Sequence, residues 1–229
     1  MKDSDFIFAL TMDQQRSRSG TDRVPEGLAA LDVALAGRML LPPERTAGDE
    51  VQCLLDDPAA VVDAVTALTR QGQWWIGIGV GAVDHPLPQS TREARGPAYF
   101  AARSAVERAH GAPLGLALEL AATQQPKTVG AAPYAEGSRC KLLARRAETG
   151  LWLLQEVLAR RSEEGWQIVD LLDQGLGVGE AAARLGISAS AASQRHQRAG
   201  RELGTRASEL CVGLLAELQT ARATEGAAP

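Results

Sequence analysis

The residues best suited to chemistry lie in one short stretch near the C-terminus. Between Ser188 and Arg201, the side chains of Ser190, Ser193, Gln194, Gln197 and Arg198 fall at spacings that put hydroxyls, amides and a guanidinium fork along one side of a helix. Such groups can form hydrogen bonds to base edges in a DNA major groove. Arg195, Arg198 and Arg201 can contact phosphates, which positions a protein on a duplex without specifying sequence. From Arg184 to Arg206 five arginines stand against one acid, Glu202, so this stretch carries +4 in a chain of net charge −4. A cationic face inside an acidic protein suits a polyanionic partner. A second set is acidic. Asp13 closes an apolar run and Asp49-Glu50 sits in a turn. If those segments are neighbouring strands, two or three hard oxygen ligands converge in a way that suits Mg²⁺ and a polyphosphate.

Positioning the first set requires two short helices crossing closely. Gly179–Leu185 carries alanines where helices must approach, Gly186 permits the turn, Ile187 plugs the space between them, and Ser188 caps the second helix. Glu180-Ala181-Ala182, Leu185-Gly186-Ile187-Ser188 and Ala192-Ser193-Gln194-Arg195 resemble the helix-turn-helix of sigma-factor region 4 and of LuxR-type regulators, over about 25 residues. That resemblance implies binding to double-stranded DNA. The alternative is an ordinary helical hairpin whose Ala and Gly content only tightens packing.

Positioning the carboxylates requires a sheet. Phe6–Leu10 reads as a buried strand and Val24–Met39 as a helix with Leu28, Leu31, Leu35 and Met39 on one stripe. Two alternating runs flank Gly48-Asp49 as a hairpin, Pro58 opens a helix, and Trp74–Val83 alternates glycine with Ile76, Ile78 and Val80. That alternation predicts a central strand approached closely by neighbouring backbone. A helix over Ala98–His110 and a strand over Leu114–Leu120 follow. The expected class is α+β: a ferredoxin-like, palm-like βαββαβ domain over 1–121, a linker over 122–139, and an all-α domain over 140–229 with its helix-turn-helix at about 178–204.

Ala47-Gly48-Asp49-Glu50 and Ile76-Gly77-Ile78-Gly79 are similar to the hairpin and glycine-bearing strand of class III nucleotide cyclase and GGDEF palm domains. More closely, Met12-Asp13 with Ser17-Arg18, Ala47–Gln52, Gly77–Gly81 and Arg95-Gly96-Pro97-Ala98 resemble the SatD-like family, over roughly residues 6–110. The cyclase resemblance implies a Mg-dependent nucleotidyl cyclase or transferase with Asp13, Asp49 and Glu50 as metal ligands and a nucleotide as ligand. No residues match the groups such enzymes need for the base and the transferring phosphate. The opposed reading makes Asp13 and Asp49 turn residues and gives the domain a dimerising or ligand-sensing role.

Composition narrows the remaining classes. The chain has 229 residues, 45% of them hydrophobic and 23% charged, enough for one large or two modest cores. No apolar run approaches the roughly 20 residues that cross a bilayer, and Met1–Asp13 has no export signal, so a cytoplasmic location is expected. Cys53, Cys140 and Cys211 are too few and too scattered for a disulfide framework and are expected as buried thiols. His85, His110 and His196 show no triad or metal spacing and are expected at the surface, and the four tryptophans as core or interface anchors. Leu210–Leu218 carries a leucine stripe suited to the core or to a dimer seam. The combined expectation is a transcription regulator that binds DNA as a homodimer.

Overall fold

The computed structural model describes residues 6–17, 20–122 and 136–226. Most of the expected linker, Arg18, and the end of the C-terminal tail lie outside them. The chain is mixed α+β. Its elements run β1 (Ile7–Gln14), α1 (Val24–Leu35), β2 (Leu41–Arg45), β3 (Glu50–Leu55), α2 (Pro58–Gln71), β4 (Trp74–Gly81), α3 (Pro97–Ala109), β5 (Leu116–Leu120), α4 (Glu136–Ala159), α5 (Glu163–Asp173), α6 (Val178–Leu185), α7 (Ala189–Ala199) and α8 (Arg201–Gly226). The five strands form one sheet in the order β2-β3-β1-β4-β5. The first four are antiparallel to their neighbours, and β5 joins β4 in parallel.

Period-two alternation splits each strand between two faces. Phe8, Leu10 and Met12 of β1, with Val51, Cys53, Ile76, Ile78 and Val80, point to the face covered by α1 and α2, where Leu31, Leu35, Val61, Val65 and Leu68 complete the core. On the opposite face, α3 lies on β4 backbone to backbone. A Cβ at Gly77 or Gly79 would overlap main-chain atoms of Ala98, Ala102 and Val106. The glycines are what let the helix sit this low.

Leu143, Ala147, Leu151, Leu154 and Leu158 of α4 and Cys211, Leu215 and Leu218 of α8 join the same apolar cluster as the sheet's α1/α2 face. Helix α4 also closes the sheet edge. Trp152 Nε1 donates to the Leu116 carbonyl at 2.8 Å, Glu148 accepts from Leu118 N–H at 2.9 Å, and Arg108 donates to the Leu118 carbonyl at 2.9 Å. Backbone groups left open on β5 are thereby satisfied by side chains instead of by another strand. At its far end α8 is tied down by Gln219 Nε2, which donates to the carbonyls of Phe6 and Asp56 at 3.0 and 2.9 Å.

Helices α5, α6 and α7 form a smaller cluster of their own from Ile168, Val169, Leu172, Ala181, Ala182, Ala192 and Ala199. Here the structure redraws one expected boundary. The second helix of the pair does not run on to residue 204, where the helix-turn-helix was expected to end, because Gly200 takes a left-handed conformation (φ 59°) that stops α7 and lets α8 begin at Arg201. Strand β1 runs past Leu10 to Gln14, since Thr11 and Asp13 find ladder partners in Gln52 and Glu50. Helix α1 ends at Leu35, short of Met39, with Ala36 left-handed after it. All three cysteines are buried and free. Among the described residues no helix is long and apolar enough to cross a membrane.

Candidate nucleic-acid interface

Local chemistry builds the α6–α7 pair. Glu180 reaches back to accept from the Gly177 N–H at 2.8 Å and so closes the first turn of α6. Gly186, at φ 65°, ends that helix in the left-handed region, and the Ile187 N–H returns to the Ala182 carbonyl at 3.1 Å. Ser188 then caps α7 by accepting from the Ala191 N–H at 3.2 Å. Ala181, Ala182 and Ala192 are buried where the helices cross. The side chains of Leu185 and Ile187 pack against them.

With its alanines turned inward, α7 turns its polar side outward. Ser188, Ser190, Ser193, Gln194, Gln197 and Arg198 are all exposed, and Arg195 is half-buried. Arg195 and Arg198 line a cleft of about 470 Å³ together with Arg160, Ser162 and Glu164 at the start of α5. Glu164 is held below its ordinary range, first by its own backbone N–H and by Ser162, then by the charge of Arg195. Among the described residues Arg184, Arg195 and Arg198 have no carboxylate within ion-pair distance. Arg201 and Arg206 do: Arg201 Nε meets Asp173 Oδ1 at 2.7 Å, and Arg206 meets Glu202 at 2.8 Å. The arginines expected to act as one set thus divide into available and occupied ones.

Two residues that the motif does not contain hold this unit in place. Arg161 donates from Nε to the Ala199 carbonyl at 2.9 Å, at the last turn of α7, while its guanidinium lies 4.2 Å from the Trp166 ring centroid. Arg70 of α2 lies 4.9 Å from the same ring and pairs with Asp170 of α5. Neither had a sequence signal, because each acts across a tertiary crossing.

The carboxylates of the sheet do meet. Asp13 and Glu50 are directly opposed on β1 and β3. Glu50 accepts from Arg103 Nη1 at 2.8 Å, from Gln52 Nε2 at 3.1 Å and from the Thr46 hydroxyl. Burial raises the Asp13 carboxyl above its ordinary range, and the charges of Glu50 and Asp49 raise it further, against His110 and Arg103. His110 Nε2 lies 3.8 Å from Asp13 Oδ2, and its ring stands 4.0 Å from that of Trp75. The chemistry present is therefore a carboxylate pair with Arg103 of α3 as its ion-pair partner and the His110 ring, just past the end of α3, beside Asp13. Arg103 and His110 were not expected there, although their i, i+7 spacing puts them on one helix face. Among the described residues no group of three or more His, Cys, Asp or Glu side chains is arranged to hold a metal ion.

Comparison of the chain with protein families, with curated proteins and with solved structures finds no match.

Proposed function

We propose that this chain is a DNA-binding protein, a transcription regulator whose α6–α7 pair is a helix-turn-helix with α7 as the recognition helix. The observation that carries this reading is the division of α7 into a buried alanine side and an exposed side bearing Ser190, Ser193, Gln194, Gln197 and Arg198. An ordinary packing hairpin also keeps its open face polar; what favours a duplex is that these polar groups are amides and guanidinium forks, with Arg198 in no ion pair among the described residues. Gln194, Gln197 and Arg198 are the groups able to form paired hydrogen bonds to bases. Arg195 belongs to the phosphates through the cleft it shares with Arg160.

The sheet supports a ferredoxin-like reading of the first part of the chain, since β4-β1-β3-β2 is the order that a βαββαβ unit with two crossovers produces, and β5 extends it. In this proposal that part is the dimerising or ligand-sensing half. One recognition helix covers few base pairs, so two copies on half-sites about 34 Å apart are required for useful affinity.

The test is selection of duplexes from a random pool by the full chain, followed by sequencing. Enrichment of a motif that is lost with Gln194→Ala supports the proposal. A pool that stays unenriched through successive rounds overturns it.

A further inference from the structure

The helical layer leaves one face unpartnered. Helices α4 and α8 run antiparallel: Gly150 lies against Cys211 and Leu214, Leu158 lies near Gly204, and Arg139 reaches Glu217 at 3.9 Å. Their inner sides are buried in the core. On the outer side Leu153 is 60% exposed, Leu203 59%, Leu210 56% and Leu142 43%. These four make up most of the large apolar side chains left open among the described residues. Scattered exposed leucines need no explanation, but Leu203 and Leu210 are seven residues apart, and Leu153 stands in an exposed row of α4 with the same interval. On α8 the row is Leu203, Leu210, Glu217, and on α4 it is Arg139, Arg146, Leu153, Arg160. A seven-residue repeat keeps one row facing a neighbouring helix over several turns.

Charge identifies what that neighbour is. The outer row of α4 is basic, through Arg139, Arg146 and Arg160, whereas the exposed acids of α8 are Glu202, Glu209 and Glu217. Within one copy Arg139 is paired with Glu217, Glu202 with Arg206 and Arg160 with Glu156, but Arg146 and Glu209 make no ion pair with the described residues. A surface that leaves an unpaired cation, Arg146, on one helix and an unpaired anion, Glu209, on the other, with leucines on both, complements itself after a two-fold rotation. Then α4 of one copy lies on α8 of the other, and the reverse. We infer that the outer face of the α4/α8 pair is the homodimer interface, a second copy of this chain being its occupant.

The dimensions agree. About 33 Å of helix, two helices wide, offers on the order of 600–700 Å² per copy, near the lower end of stable interfaces. The placement also has a consequence for recognition. Because α8 begins two residues after the end of α7, a contact along α8 sets the distance between the two α7 helices. The inference rests on the DNA-binding reading only for that consequence.

The experiment is sedimentation velocity on the full chain from 1 to about 100 µM. The wild type is expected to be a dimer. Leu153→Glu/Leu210→Glu should weaken self-association at least 100-fold while leaving the far-UV spectrum unchanged, since both side chains are largely exposed in one copy. Arg146→Glu and Glu209→Arg should each weaken it alone, and the two mixed should form the heterodimer, in which every charge contact is attractive. A wild type that stays monomeric, a leucine double variant that stays dimeric, or charge variants that fail to prefer each other would overturn the interface. A dimer disrupted as expected but without affinity for any duplex would leave the interface standing and remove only the DNA-binding reading.

Discussion

Arg70 and Asp170, a hundred residues apart, meet in a two-pronged ion pair: Nη1 and Nη2 of the arginine donate to Oδ1 and Oδ2 of the aspartate at 2.9 and 2.8 Å. The pair fastens α5, and through it α6 and α7, to α2 beneath the sheet. The Trp166 ring is approached by both Arg70 and Arg161 at the same junction. Orientation of α7 therefore depends on contacts remote from its own exposed face.

Removing that fastening should loosen the three-helix unit without unfolding the sheet. Both side chains are more than a third exposed, so Arg70→Ala is expected to destabilise the junction by only about 1 kcal/mol. Native-state hydrogen exchange is the suitable measurement. Amides of α5 should lose roughly fivefold in protection while those of β1 and β4 keep theirs. Equal loss throughout the chain would mean the unit has no independent opening.

The glycine stripe makes an opposite pair of predictions. Gly79→Ala places a methyl group inside the α3 backbone, which must lift, and a loss of about 1–3 kcal/mol is expected. Gly179→Ala adds the same methyl where nothing lies within 4 Å, and should stabilise α6 by about 0.5 kcal/mol. Urea midpoints should move in opposite directions. Two unchanged midpoints would show that close packing of α3 on β4 is unimportant.

Asp13 makes stability depend on pH with a definite sign. Its carboxyl is raised above the ordinary value of 3.8 by burial and by Glu50 and Asp49. Between 3.8 and its raised value, the folded chain keeps a proton that the unfolded chain has lost, so stability falls as pH rises through that window. Asp13→Asn removes the charge and keeps the shape. Its thermal midpoint should lie above wild type at pH 7, with the gap closing as the pH falls toward 3.8. A gap that widens on acidification would mean that His110 and Arg103 dominate and that Asp13 stabilises as an anion.

How much of this was legible depended on whether the determining contact was local. Alternating glycines in Trp74–Gly81 announced a close backbone approach, and α3 makes it. Turn chemistry at Gly186 and Ser188 placed two helices and their junction, because caps and left-handed turns are decided within four residues. Gly200 gives no such signal, because the polar pattern of α7 runs on into α8 and only the backbone conformation separates them. Trp152 and Glu148 capping the β5 edge, Arg161 at the end of α7, and Arg103 and His110 beside Asp13 had no such signal. Each depends on how one element crosses another. Leu210–Leu218 divides for the same reason: Leu215 and Leu218 are in the core, and Leu210 is outside it.

A duplex held by the arginines of α7 must be released by salt. Fluorescence anisotropy of a selected duplex, between 50 and 200 mM salt, should show affinity falling steeply for the wild type. Arg198→Ala should weaken binding by about 1–3 kcal/mol. Arg195→Ala, which removes the phosphate contact, should make the slope of log K against log salt shallower by about 0.9. Arg201→Ala, whose guanidinium is already held by Asp173, should change both by much less. Wild-type affinity and slope retained in both Arg198→Ala and Gln194→Ala would contradict the account, because α7 would then not be the surface that meets DNA.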